Sequence, residues 1–268
     1  MFTEKTYNTG QVTINYAEGP TSGAPLLLLH GAILHWQDFQ PLLPHLEASW
    51  HTYACDLRGH GKSSHVSSGY RAVDFIPDTT AFIQQVIGKP VVLLGHSNGG
   101  SIALGVAAQI PELIRAVVLL DPSLGLRDSS LQTLGLYELF LGVRDILLSV
   151  RSAEEVIPAF LPGIDEAGVQ AVAEMIHQVD LVSVTVMLNN QFFDNFDLKQ
   201  VMQKVTCPTL LLYGEIDKGS IVRERDVEFF QTTMPNGVAI QIKDASHSLH
   251  WDQSAHVLEQ IRQFLGVV

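Results

Sequence analysis

Ser97 stands in Gly95-His96-Ser97-Asn98-Gly99-Gly100, with four apolar residues (Val91 to Leu94) before it and an Ala/Leu/Ile-rich stretch to Gln109 after it. The pattern reads as a buried strand turning sharply into a buried helix, with a hydroxyl at the bend. A serine held there can act as a nucleophile. Its oxygen stands clear of the backbone, and the first N–H groups and the dipole of the helix favour the oxyanion of an acyl-transfer step. Glycine at 95 and 99 removes side chains that would clash in so tight a bend. The bland alternative is that the glycines merely permit a turn, and G-x-S-x-G alone is a weak signal.

A serine nucleophile needs a base, and a histidine base needs an acid to orient it. Among eleven histidines, His247 in "IKDASHSLHWD" follows an apolar strand ending at Ile242 by five residues. In "LLLYGEIDKGS", Asp217 comes four residues after the end of another apolar strand. Both side chains would emerge at the carboxyl edge of a sheet, where Ser97 emerges. His250 is the rival base, expected at the start of the last helix with Trp251 packing inward. Asp121 is the rival acid. It too follows an apolar strand, in "VVLLDP", but Pro122 comes directly after it.

Those residues must be positioned by the elements around them. Strands are expected at Thr3–Thr9, Val12–Tyr16, Pro25–Leu29, His51–Cys55, Val91–Leu94, Ala116–Leu120, Thr209–Tyr213 and Ala239–Ile242. Helices alternate with them, over about 36–46, 74–87, 98–109, 223–232 and 253–264, with Pro77 expected in a first helical turn. Such alternation implies a mostly parallel sheet covered on both faces. Between Asp121 and about Val205 apolar residues recur at three- and four-residue spacing without a convincing strand, so that stretch reads as several helices. It lies beyond the carboxyl end of a strand, where open α/β sheets bind ligands, and is a candidate lid.

Composition narrows the classes. The chain has 268 residues, 46% of them hydrophobic, enough for one domain with an inserted lobe. A formal charge of −12 repels phosphate backbones and argues against a nucleic-acid partner. No apolar run approaches the ~20 residues of a bilayer span, so no membrane role is expected. "MFTEKTYNTGQVTINY" has no charged-then-apolar leader, and Cys55 and Cys207 have neither metal nor redox spacing. A cytoplasmic protein with two reduced thiols is expected. His247, His250 and His256 have no clustered carboxylate or cysteine partners, and no metal is expected. "GHGKS" lacks the glycine spacing of a phosphate loop.

The segments "LLLLHGAILHW", "DLRGHGKS", "GHSNGG", "YGEIDKG" and "DASHSLHWD", in that order, resemble the α/β-hydrolase-fold serine hydrolases. The resemblance spans nearly the whole chain except the candidate lid. It implies an α/β fold, a mostly parallel eight-stranded sheet flanked by helices, with core residues 1–121 and 207–268 and an inserted helical lid at 122–206. It also implies Ser97 as nucleophile, His247 as base and Asp217 as acid, because "YGEID" matches the usual acid site. The backbone N–H groups of Ala32 and Asn98 would be the oxyanion donors. Serine rather than aspartate at position 97 speaks against epoxide hydrolases and dehalogenases, and "HGAILHW" departs from the Gly-rich stretch of many lipases. Arg58 and the glycines of "DLRGHGKS" are expected to be structural.

The expected activity is hydrolysis of a small, largely apolar ester, thioester or lactone, with no cofactor. Ile33, Trp36, Phe140 and Phe192 are expected to line the substrate site. Neutral acyl groups are favoured because basic residues are sparse in the lid. The alternatives are a carbon–carbon bond hydrolase of a vinylogous diketone, a cofactor-free oxygenase or perhydrolase, and a non-catalytic receptor on the same fold. As base, His247 acts only when neutral, so kcat/KM should fall toward acid through the ordinary imidazole range. Asp217→Asn is expected to abolish most activity by favouring the wrong imidazole tautomer.

Overall fold

Alternate residues of each inner strand face opposite ways, and the sequence loads both faces. Leu26 and Leu28 of β3 (Ala24–Leu29) enter one buried cluster, whereas Leu27 and Leu29 enter another. The computed structural model describes residues 1–161 and 163–266. Its sheet also contains β1 (Thr3–Asn8), β2 (Thr13–Glu18), β4 (Trp50–Cys55), β5 (Val91–His96), β6 (Ile114–Leu120), β7 (Thr209–Tyr213) and β8 (Gly237–Gln241). The eight strands run in the order β1-β2-β4-β3-β5-β6-β7-β8. β2 is antiparallel to both its neighbours, and the remaining pairs are parallel.

The chain moves outward from β3 to β4 on one side and returns to β5 on the other. The crevice beyond the carboxyl ends of β3 and β5 is therefore the topological switch point, where a ligand can enter between diverging loops. The segment after β3 begins His30-Gly31-Ala32, and the turn after β5 holds Ser97.

One face of the sheet is covered by α2 (Ala72–Phe82) and α3 (Asn98–Gln109), the other by the short α1 (Leu43–Leu46) and by α12 (Ser254–Leu265). Between β6 and β7 the chain forms α4 (Leu131–Leu134), α5 (Tyr137–Leu147), α6 (Ala153–Phe160), α7 (Glu166–Ile176), α8 (Leu181–Leu188) and α9 (Leu198–Lys204). Side-chain oxygens of Ser152, Asp165, Asp180 and Asp197 cap four of these helices at their N-termini. α10 (Glu224–Thr233) and α11 (Leu249–Asp252) complete the core. Among the described residues no single helix is long and apolar enough to cross a membrane.

Two local expectations are corrected. The stretch expected as one helix over 36–46 is a 3-10 turn, Trp36–Phe39, followed by α1. Pro77 lies in the second turn of α2, not the first, since Arg71 caps the helix and Ala72 begins it. There the ring withholds the N–H that would reach the carbonyl of Val73.

The bend after β5 depends on bare backbone. A Cβ at Gly99 would overlap the carbonyl oxygens of Leu29 and His30, and one at Gly95 would overlap the backbone of Gly99. Neither obstacle is a flexible side-chain tip, so neither can yield cheaply. Gly99→Ala is therefore expected to cost about 3 kcal/mol or more, read as a lowered urea midpoint. A near-native midpoint would show that the approach of α3 to β3 is looser than this.

Candidate active site

Ser97 adopts φ 52° and ψ −119°, a strained backbone for a residue with a side chain. Its neighbours hold it there. The Ser97 N–H donates to Leu120 O at 2.9 Å, and its carbonyl accepts from Gly100 N at 3.0 Å and Ser123 N at 3.3 Å. Asn98 is the first residue of α3, so its N–H has no partner within the helix and points toward the bend. The segment after β3 reaches the same place. A Cβ on Gly31 would lie 3.1 Å from Ser97 Cβ, and Ala32 follows it directly. His30 fixes that segment: its Nε2 accepts from Leu57 N at 2.9 Å, so the proton lies on Nδ1, which donates to Gly31 O at 2.7 Å. Burial pushes the His30 imidazole well below its ordinary range, which keeps it neutral.

His247 lies on the loop after β8, and its Nδ1 is 2.7 Å from Asp121 Oδ2. A carboxylate oxygen only accepts, so Nδ1 carries the proton and Nε2 is left with the lone pair of a base. Asp121, at the end of β6, is fully buried. Its Oδ1 accepts from Ser220 Oγ at 2.6 Å and Gly214 N at 3.2 Å, and its Oδ2 also accepts from Ile221 N at 2.9 Å. Burying a carboxylate is tolerable only with such donors. No hydrogen bond joins Ser97 Oγ to His247 among the described residues. Such contacts tighten when a substrate occupies the site.

The partner of His247 is thus Asp121 and not Asp217. Asp217 is exposed, in the turn Ile216–Lys218. The stretch expected to supply the acid instead supplies donors to it, through Gly214, Ser220 and Ile221. The physical reason is sheet order: β6 is the immediate neighbour of β5, whereas β7 is one strand further away. Pro122 is no obstacle, because a proline removes only its own N–H, and Asp121 N still donates to Leu212 O at 2.8 Å.

His250, the rival base, is fully buried and turned away from Asp121, with its Nε2 3.0 Å from Asp38 Oδ1. Trp251, expected inside, is 52% exposed, although its indole N–H donates to Asp38 O at 2.9 Å. The ligand atoms of Asp38, His96 and His250 lie within 4.8 Å of one another. They are already joined by hydrogen bonds, so the group is a polar cluster rather than an open cation site.

The expected substrate-lining residues divide. Phe192 lines a small cavity with Leu126, Ser129, Met187, Asn190 and Phe193. Met187 Sδ, on α8, is 3.3 Å from Asn98 Nδ2, which sets this cavity beside the start of α3. Ile33 is half-buried with φ 59°. Phe140 is buried in the core on the α2/α3 side and does not line the cavity. Trp36 is corrected: it stacks on Phe2, packs against the opposite core, and its indole donates to Glu4 Oε1 at 2.9 Å. Met187 was not foreseen, since a methionine on an apolar helix gives no signal of which cavity it faces. Arg58 forms a buried two-pronged ion pair with Asp78, at 2.6 and 2.9 Å.

Residues 26–260 match the Alpha/beta hydrolase family. The chain belongs to that family. It is similar to the 2-(acetamidomethylene)succinate hydrolase of Mesorhizobium japonicum, 29% identical over 224 residues, covering 81% of this chain and 79% of that protein. It is also similar to a serine hydrolase-like protein of Danio rerio, 37% identical over 105 residues, 38% of this chain and 32% of that one. In fold it resembles the N-formylmaleamic acid deformylase of Pseudomonas putida S16, with TM-score 0.82 and 19% identity, covering 97% of this chain and 100% of that one. The chain is therefore a hydrolase by family, on an eight-stranded, largely parallel sheet.

The two acids can be told apart by a paired substitution. Asp121→Asn should lower kcat by about 10⁴, because an amide in place of the carboxylate favours the wrong His247 tautomer. Asp217→Asn should leave the rate within about twofold, as expected for an exposed position away from the site. Steady-state rates of the two purified variants decide it, and a larger loss at Asp217 would restore the original assignment.

Proposed function

We propose that this hydrolase cleaves a small, neutral, largely apolar ester, thioester or lactone through an acyl-enzyme on Ser97. Asp121 takes the acid's place beside His247. The observation that carries the reading is the 2.7 Å contact between His247 Nδ1 and Asp121 Oδ2, at the end of the strand next to the Ser97 bend. His247 Nε2 takes the Ser97 proton as Oγ bonds to the substrate carbonyl carbon. The developing oxyanion is received by the N–H groups of Ala32 and Asn98. Collapse breaks the bond to the leaving group, which departs with the proton from His247. Water then gives a proton to His247 as it attacks the acyl carbon, and the Ser97 Oγ–acyl bond breaks as His247 returns that proton to Oγ, releasing the acid. Nucleophile, base and oxyanion donors all come from the chain, so these steps call for no metal or organic cofactor.

The helical insertion supports a neutral substrate. Met187, Phe192 and Phe193 give the cavity beside Asn98 an apolar wall. A carboxylate would need a buried counter-charge. The guanidinium of Arg127 is committed to Asp226 at 2.7 Å and stacked over Phe229, and that of Arg144 pairs with Asp145 at 2.8 Å. Arg151, Lys199 and Lys204 are exposed. The second reading, an amide or enamide bearing a carboxylate, is favoured by the names of the M. japonicum and P. putida proteins.

Two measurements test the proposal. Ser97→Ala should lower kcat on the order of 10⁶ and abolish labelling by a fluorophosphonate probe while the fold persists. Undiminished turnover would end the acyl-enzyme reading. Across p-nitrophenyl esters, kcat/KM should rise over the first few acyl carbons, each buried methylene adding roughly 0.8 kcal/mol, and then drop. Preference for a dicarboxylic amide over every ester would replace the neutral substrate with the acidic one.

A further inference from the structure

We propose that the buried Asp38–His96–His250 cluster is a positioning unit for the site, in which a permanently protonated His96 donates one N–H to Asp38 and the other to the backbone carbonyl of His247. The functional consequence rests on the reading of His247 as the base.

The cluster ties together the three segments that meet at Ser97. Asp38 lies in the 3-10 turn Trp36–Phe39, which follows Gly31 and Ala32. His96 ends β5, directly before Ser97, and His250 lies in α11, three residues after His247. Asp38 Oδ2 is 2.9 Å from His96 Nδ1, and Asp38 Oδ1 is 3.0 Å from His250 Nε2. One carboxylate thus anchors the segments bearing an oxyanion donor, the nucleophile and the base. His96 Nε2 lies 3.1 Å from His247 O, which clamps the loop at the base itself.

The protonation of His96 follows from its partners. A carboxylate and a backbone carbonyl both only accept, so both ring nitrogens must donate. A neutral ring has a single N–H, and it would leave two lone pairs facing each other at a ring that is itself buried. His250 differs. Among the described residues only its Nε2 faces acceptors and its buried Nδ1 meets none, so a single ring proton, on Nε2, serves both contacts. Electrostatics agree: burial works against a charge on His96, but Asp38's charge and hydrogen bond, the His247 carbonyl and Asp121 outweigh it and raise the imidazole. Burial likewise opposes a charged Asp38, yet the imidazoles of His250 and His96 hold its carboxyl well below the usual range. At His250 burial prevails and lowers the imidazole.

The groups facing His96 are Asp38, Asp121, and the rings of His247 and His250, each 4.7 Å away between centroids. A fixed cation beside His247 places like charge next to the imidazolium that forms when the base takes the Ser97 proton. Removing that cation while Asp38 remains charged relieves the repulsion.

His96→Gln keeps amide donors and removes the charge. In that variant the acid limb of kcat/KM should move upward by about one pH unit, measured on the ester that wild type turns over fastest. A limb that stays in place while the rate falls equally at every pH would overturn the proposal, since that is what lost packing alone produces. Nitrogen NMR of the histidine side chains in folded wild type gives a reading that needs neither the variant nor turnover. Both His96 ring nitrogens should be protonated at pH 8, and a bare nitrogen there would overturn the proposal. Absence of Ser97-dependent turnover in wild type would instead sink the hydrolytic reading above, leaving the NMR result to decide on His96.

Discussion

The site is built on the close approach of the first turn of α3 to the carboxyl end of β3. Gly99 lies where the carbonyls of Leu29 and His30 leave no room for a side chain. That approach lets α3 begin within one residue of β5, and so forces Ser97 into a left-handed backbone. Strain of this kind costs on the order of 1–3 kcal/mol and persists only where surrounding structure over-determines it. Here it is held by the bond from Ser97 N to Leu120 O and by parallel pairing of β5 with β3 and β6. The same approach brings Gly31 and Ala32 to the serine.

Around that bend the protein buries charge in a pattern set by the sheet. Asp121 and Asp38 are both nearly inaccessible carboxylates, and each is surrounded by donors from separate loops. Asp121 gathers Gly214, Ser220, Ile221 and His247, which joins the ends of β6 and β7 to the loop after β8. The Asp38 carboxylate gathers His96 and His250, and its main-chain carbonyl accepts from the Trp251 indole, which joins the ends of β3 and β5 to α11. Loops at a sheet edge are ordinarily its most mobile parts. A buried carboxylate makes that mobility costly, because each loop that swings away leaves it short of a donor.

The helical insertion is governed by different physics. Its helices are individually short, and Ser152, Asp165, Asp180 and Asp197 cap α6, α7, α8 and α9 at their N-termini. Two of its arginines are held in ion pairs, Arg127 by Asp226 of α10 and Arg144 by Asp145. Apolar side chains such as Met187 and Phe192 are left to meet the core beside Asn98.

The sequence by itself determined the elements, because their causes are local. Runs of Val and Leu in β3, β5 and β6, the helical spacing between β6 and β7, and the glycines around Ser97 all act within a few residues of where they stand. The serine bend and the loop bearing His247 were legible for that reason. The partner of His247 was not. Asp121 and Asp217 both follow apolar strands, and nothing within either stretch states how far its strand lies from β5. Only strand order decides that distance, and strand order is a property of the whole sheet. The inward turn of His250 and the outward turn of Trp251 have the same origin. Both residues suit a short helix, and which of them goes inside depends on Asp38, 212 residues away in the chain and within hydrogen-bond reach only after folding.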